Sequence, residues 1–257
     1  MKKEMLKLAG LELELHEDGS GAPLLFLHPA SGFLSGQPYV ALLSRARRLI
    51  APSHPGFGHS ELPDWLDTPD DIAHIYLELM DRLDLAKVDL VGSSIGGWIA
   101  AEMATKAPER FRKLVLVAPV GVKTGPIDKL DIPDIYAVPQ ERVNEWLFHD
   151  PSKFVIDPAR LSDDELTVMV RNRETLAMLV WEPWMHNPKL RRRLHRVDMP
   201  TLFLRGESDG LVSADYLARY AALLPNARID TIAKAGHAVQ AEQPELFAEK
   251  VLGFLNV

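Results

Sequence analysis

The sequence predicts an α/β fold: a largely parallel β-sheet covered by helices, with one helical insertion. Three observations carry this. Short apolar runs alternate with longer amphipathic segments, several of the runs are wholly apolar as buried strands are, and between about 121 and 196 the rhythm stops.

In chain order, Leu6–Leu8 and Leu11–Leu15 alternate apolar and charged residues at period two. They read as a half-exposed antiparallel hairpin turning at Ala9-Gly10. Buried strands are expected at Leu24–Leu27, Leu49–Ala51, Val88–Val91, Leu114–Val117, Thr201–Leu204 and Arg228–Ile232. The segments between them read as helices at Gln37–Ser44, Thr68–Leu83, Ile95–Lys106, Ala214–Leu223 and Pro244–Phe254. Thr68-Pro69-Asp70-Asp71 is a helix start: a cap, a first-turn proline, then carboxylates against the positive end of the dipole. From Gly121 to Arg196 no convincing buried strand appears, while Pro139-Gln140-Glu141 and Leu161-Ser162-Asp163-Asp164-Glu165 both read as helix starts. Three of the five tryptophans fall in this stretch. The expected division is a core of residues 1–120 and 197–257, with 121–196 a helical cap over the end of the sheet.

At 257 residues, 47% hydrophobic and 25% charged, the chain has material for a substantial core. A formal charge of −7 gives no general attraction to phosphate backbones or anionic lipid, so nucleic acid is not an expected partner. The absence of cysteine excludes disulfides, thiolate metal sites and a cysteine nucleophile. Charges interrupt the N-terminal segment and no run approaches the roughly 20 apolar residues that span a bilayer. No membrane association is expected, and the cytoplasm is the expected compartment.

The chemistry is carried by Val88-Asp89-Leu90-Val91-Gly92-Ser93-Ser94-Ile95-Gly96-Gly97, which runs from a buried strand straight into a helix. Gly92-Ser93-Ser94-Ile95-Gly96 fits G-x-S-x-G in the strand–turn–helix context the motif needs. A serine at the tip of so tight a turn needs very small residues two before and two after it. The helix beyond then aims free N–H groups at the oxygen that becomes negative during attack. The glycine register selects Ser94 over Ser93. A serine needs an imidazole to take its proton. Of nine histidines, His237 follows the last strand, just ahead of a helix. His16, His74, His149, His186 and His195 lie on amphipathic or charged segments and read as surface residues, whereas His28 reads as a loop-shaping one. Asp209, in the loop after the penultimate expected strand, supplies the carboxylate in the order Ser–acid–His; Glu207 is a rival there and Asp198 a weaker one. Backbone N–H groups of Ala30 and Ile95 are the expected oxyanion donors, each worth about 3 kcal/mol to a transition state.

Four signatures in order resemble the α/β-hydrolase superfamily: the His28–Gly32 loop, Pro55-Gly56-Phe57-Gly58-His59-Ser60, the Gly92–Gly96 elbow, and the Asp209 and His237 loops. The resemblance implies an eight-stranded, mostly parallel sheet with a helical cap between strands six and seven. Two positions depart from the usual pattern. His28-Pro29-Ala30-Ser31 stands where H-G-x-G is common, and His54 stands where an acid usually precedes P-G-x-G. A serine nucleophile argues against dehalogenase and epoxide-hydrolase relatives, which use a carboxylate.

The fold alone does not fix the reaction. The leading expectation is hydrolysis of a small to medium, fairly apolar carboxylic ester through an acyl-enzyme, with Trp146, Trp181 and Trp184 of the cap lining an apolar pocket. The alternative is a cofactor-free hydrolase of C–C bonds in ring-cleavage products, with Arg171 and Arg173 as candidates for a substrate carboxylate. A non-catalytic ligand receptor on the same scaffold is the third reading. The expected partner is a small-molecule substrate, and neither cofactor nor metal is implied.

Overall fold

The computed structural model describes residues 1–256. Eight strands form one sheet: β1 Lys2–Leu8, β2 Leu11–Asp18, β3 Pro23–Leu27, β4 Arg48–Pro52, β5 Val88–Ser93, β6 Phe111–Val117, β7 Thr201–Gly206 and β8 Ala227–Ile232. They lie in the order β1-β2-β4-β3-β5-β6-β7-β8. The β1–β2 and β2–β4 pairs are antiparallel, and every later pair is parallel.

The central strands alternate between two apolar layers because successive side chains point to opposite faces. Leu24, Phe26, Val91, Val115, Val117, Leu202 and Leu204 pack with α1 (Pro38–Ser44) and α8 (Pro244–Asn256). Leu25, Leu27, Leu90, Leu114, Leu116 and Phe203 pack with α2 (Pro69–Arg82), α3 (Ile95–Lys106) and α6 (Ala214–Ala221) on the other face. The start of α2 is a capping box: the Thr68 side chain accepts from Asp71 N, and Asp71 accepts from Thr68 N.

One sequence expectation fails at the edge. The hairpin is exposed on β1, but on β2 Leu11, Leu13, Glu14, Leu15 and His16 are all buried. Loops carrying Phe33, Ser53 and His59 lie over this face of β2 and cover Glu14 and His16, while Glu12 on the same face stays exposed. His16 is accordingly not a surface residue; its ring packs 4.9 Å from that of Phe33. Glu14 is compensated. It takes hydrogen bonds from Lys3, Ser53 and the His59 N–H. Burial opposes its charge, but these bonds and His16 outweigh burial and hold the carboxyl far below the usual range.

Between β6 and β7 lie two α-helices, α4 (Gln140–Leu147) and α5 (Asp163–Val180), with short 3₁₀ turns. Ser162 and Glu165 form a second capping box at the start of α5. The two ends of this segment pair with each other: Gly121 bridges His186, Gly121 N donates to Met185 O, and Asn187 N donates to Gly121 O. A short helix, α7 (Val239–Glu242), precedes α8. Among the described residues, no helix is long and apolar enough to cross a membrane.

Candidate active site

Strand β5 ends at Ser93, and α3 begins at Ile95, leaving Ser94 alone on the turn with φ +55° and ψ −116°. L-residues rarely adopt that conformation, so the surroundings must impose it. Ser94 N donates to Val117 O of β6, while its carbonyl accepts from Gly97 N and Trp98 N. Gly92 and Gly96 make the turn sterically possible. A Cβ on Gly92 would strike the Gly96 carbonyl, and one on Gly96 would strike the carbonyls of Leu27 and His28. Ser93 is buried in the strand, and Ser94 is the serine that meets the imidazole.

His237 Nε2 lies 2.9 Å from Ser94 Oγ, and His237 Nδ1 lies 3.1 Å from Asp209 Oδ2. Asp209 is held from behind: its Oδ1 accepts from Leu211 N at 2.9 Å and Val212 N at 2.8 Å. A carboxylate fixed this way accepts a hydrogen bond from Nδ1–H, which keeps the ring proton on Nδ1 and leaves Nε2 free to accept from the serine. All three side chains are buried. The rivals are elsewhere: Glu207 is exposed, and Asp198 precedes β7 at the opposite end of the strand. Glu242 fastens the histidine loop, accepting from Gly236 N and, on the other side, from His149 N and Asp150 N. The end of α4 also sits on both loops, since Trp146 O accepts from Gly210 N and Leu147 O from Ala238 N.

Among the described residues, no acceptor takes the N–H of Ala30 or Ile95. Both therefore remain free to donate. The turn carrying Ala30 is closed by Gly32 N donating to Pro29 O. Beneath it lies a buried chain of three rings. His28 Nε2 accepts from His54 N at 2.8 Å, so its Nδ1 carries the proton and donates to Pro29 O at 2.7 Å. His54 Nε2 donates to His28 O at 2.8 Å, and its Nδ1 accepts from Tyr76 OH at 2.6 Å. The two imidazoles stack with centroids 3.6 Å apart. Burial pushes the His28 pKa down to about 4 and that of His54 well below the ordinary value, with His28 itself opposing charge on His54. Both are neutral props of the loop. The signal in the sequence was the replacement of the usual acid by His54.

The cap residues singled out from sequence are distributed differently from the expectation. Arg171 donates to the carbonyls of Gly58 and Ser60, and Arg173 bonds Gln140 Oε1 and lies over the Tyr136 ring. Arg171 is committed to carbonyls of the Pro55–Ser60 turn, whereas Arg173 is exposed and keeps N–H donors that no local acceptor takes. The three tryptophans do not form one lining. Trp146 packs beside Gly210, while Trp181 is 57% exposed and meets Trp184 edge-on. Trp184 is turned away by its own indole, which donates to Ile132 O, and it borders a groove lined also by Lys123, Leu130 and Asp131.

A buried carboxyl that sequence reading missed lies on α3. Glu102 Oε1 accepts from Trp98 Nε1 at 3.2 Å and Asn187 Nδ2 at 2.8 Å. Its Oε2 has no hydrogen-bond partner among the described residues and lies 3.8 Å from Arg193 Nη1. Burial raises its pKa to about 7, aided by the nearby Asp70 carboxylate and opposed by the bonds from Asn187 and Trp98. A lone acid four residues after Trp98, in a helix otherwise apolar on that face, was the available signal.

Comparison with known proteins places these features in context. The model of the alpha/beta hydrolase family matches residues 24–250. The 2-hydroxy-6-oxo-2,4-heptadienoate hydrolase of Pseudomonas putida is 28% identical over 267 residues, covering 98% of this chain and 95% of the relative. A 2-hydroxymuconate semialdehyde hydrolase from a Pseudomonas strain is 27% identical, covering 96% and 91%. Among solved structures, a meta-cleavage product hydrolase from Pseudomonas fluorescens superposes with a TM-score of 0.79 at 21% identity, covering 98% of this chain and 97% of that one; at this identity the match shows the fold. These relatives overturn the carboxylic-ester expectation. The compounds they are named for contain no ester bond, and the Ser–His–Asp geometry by itself does not distinguish an ester carbonyl from a ketone.

Proposed function

The chain belongs to the alpha/beta hydrolase family, and from that premise we propose that it hydrolyses a C–C bond in a 2-hydroxy-6-oxo-dienoate, with Ser94 as nucleophile, His237 as base and Asp209 as its orienting acid. The observation that carries the reading is near full-length similarity to hydrolases of such dienoates, in a chain whose Ser94, His237 and Asp209 are linked by hydrogen bonds.

The chemistry balances without a cofactor. Moving the proton of the 2-hydroxyl to C5 gives the keto form, in which C5 can leave as a stabilised carbanion. Ser94 Oγ then adds to C6 as its proton passes to His237 Nε2, and the resulting oxyanion is received by the N–H groups of Ala30 and Ile95. The C5–C6 bond breaks with its electron pair delocalised onto the C2 carbonyl oxygen, which takes the proton from His237. Water, deprotonated by His237, then hydrolyses the acyl group from Ser94 and releases a carboxylic acid. Neither Arg171 nor Arg173 is assigned to the substrate carboxylate. The reading keeps a small-molecule partner and the cytoplasm, which a charged, water-soluble substrate suits.

The test is turnover of 2-hydroxy-6-oxohepta-2,4-dienoate, of its 6-phenyl analogue and of 2-hydroxymuconate semialdehyde, followed by loss of the dienol absorbance. Turnover of at least one, lost by on the order of 10⁴-fold in Ser94→Ala, is expected. If no dienoate is consumed by an enzyme whose Ser94 reacts with a fluorophosphonate, the C–C reading is wrong.

A further inference from the structure

The turn Pro29–Gly32 is gripped from two sides. From the core, His28 Nδ1 and Gly32 N both donate to Pro29 O, at 2.7 Å and 3.0 Å. Because a trans peptide is planar, fixing the Pro29 carbonyl aims the Ala30 N–H the opposite way. From the cap, α5 reaches down with a buried amide. Asn172 Nδ2 donates to Ser31 O at 3.2 Å, and its Oδ1 accepts from Gly58 N at 2.9 Å. Asn172 is 5% exposed, on the face of α5 that also buries Thr175, Leu176 and Leu179. The fit leaves no slack, since a Cβ on Gly32 would come 2.8 Å from Asn172 Nδ2.

Thr175, one turn further along the same face, makes a bond of similar kind but different destination. Its Oγ1 donates to Gly56 O at 2.9 Å. Thr175 therefore seats α5 on the Pro55–Ser60 turn alone, whereas Asn172 spans that turn and the turn that carries Ala30.

We propose that Asn172 is a positioning residue for the reaction: its amide holds the Ser31–Gly32 peptide, whose Gly32 N–H shares the Pro29 carbonyl with His28, so that the Ala30 N–H is fully held in its donating orientation when α5 is seated and cap docking is coupled to assembly of the oxyanion hole. This rests on the serine-hydrolase reading of Ser94 and Ala30 given above. A closed cap then excludes water and completes the donor set together.

The experiment compares Asn172→Asp, Asn172→Ala and Thr175→Val by the second-order rate at which a fluorophosphonate labels Ser94, with melting temperature measured alongside. Phosphonylation places an oxygen in the same hole and does not depend on which substrate is natural. Asn172→Asp keeps the size and the acceptor for Gly58 N but sets a carboxylate oxygen against Ser31 O. Both Asn172 variants should label roughly tenfold or more slowly, within the range for a misplaced oxyanion donor. Thr175→Val should stay within about twofold of wild type, because Asn172 and the buried Leu176 and Leu179 still seat α5 and the bond lost reaches only the Pro55–Ser60 turn. If the Asp variant does not fold, the Ala variant carries the comparison. Wild-type labelling in the Asn172 variants, or an equal slowing in Thr175→Val, overturns the proposal while Ser94 stays reactive. If Ser94→Ala labels as fast as wild type, the serine-hydrolase reading itself fails and takes this proposal with it.

Discussion

Replacing Glu102 by glutamine tests whether a neutral carboxyl really lies between the elbow helix and the base of the cap. Glutamine keeps an oxygen for Trp98 Nε1 and Asn187 Nδ2 and removes the ability to ionise. The Glu102 pKa is raised from an ordinary 4.5 to about 7, so the folded chain binds this proton more tightly than the unfolded one. That contribution to stability is fully present below about pH 4.5 and is lost as pH climbs through about 7. At about 1.4 kcal/mol per tenfold in proton affinity the ceiling is about 3 kcal/mol, of which about 2 is lost between about pH 5.5 and 8. Asp70 does not interfere in that window. Burial raises its pKa, but Lys106, Glu102 and Arg193 together outweigh burial and hold it below the ordinary carboxylate range. For a domain of this size about 2 kcal/mol corresponds to about 4–8 °C in melting temperature. Thermal unfolding of wild type and Glu102→Gln across that pH range should give curves that meet at the acid end and diverge toward pH 8, with the variant the more stable. Other titrating groups are common to both proteins and cancel. Parallel curves would show that Glu102 is ionised throughout, and the argument from burial would be wrong.

Four further outcomes follow from the site. Asp209→Asn keeps an acceptor for Leu211 N and Val212 N but turns an amide toward His237 Nδ1, which moves the ring proton to Nε2; Ser94-dependent turnover should fall about 10⁴-fold with the melting temperature nearly unchanged, and a loss under about tenfold would deny Asp209 its role. Tyr76→Phe strips His54 Nδ1 of its donor and should cost about 1–2 kcal/mol of stability in urea unfolding. His28 and His54 have lowered pKa values, so their contribution is present above about 6.5 and lost as pH falls toward about 4; in the Glu102→Gln background stability should decline over that acid range, and a flat profile would contradict neutral, buried imidazoles. Gly236→Ala would drive a Cβ into Leu147 O and Phe148, so activity should drop as the histidine loop and the end of α4 are pushed apart, read as a lower labelling rate of Ser94.

The sequence by itself determined the fold class, the glycine-flanked turn that carries Ser94, and the loops that bring Asp209 and His237 to it. These are local: a buried strand running into a glycine-flanked turn and a helix has few other outcomes, and chain order then selects Asp209 and His237. Short, mostly apolar runs likewise marked β3, β5, β6 and β7, although not their full lengths. The bond that is cleaved was not legible, because a Ser–His–Asp site serves either carbonyl; similarity to dienoate hydrolases supplied that distinction.

Only the tertiary structure decided what the remaining polar side chains do. His16 and Glu14 are covered because loops carrying Phe33, Ser53 and His59 pack on that face of β2, which the alternation along β2 itself does not reveal. Arg171 and Arg173, equally basic on paper, differ in the fold: Arg171 bonds carbonyls of a loop more than a hundred residues away, while Arg173 is exposed beside Gln140 and the Tyr136 ring. Asn172 carries no motif at all, yet it joins two loops that lie 141 and 114 residues before it in the chain. Hydrogen-bond partners are chosen by distance in space, and periodicity fixes only which face a residue occupies, not what that face meets.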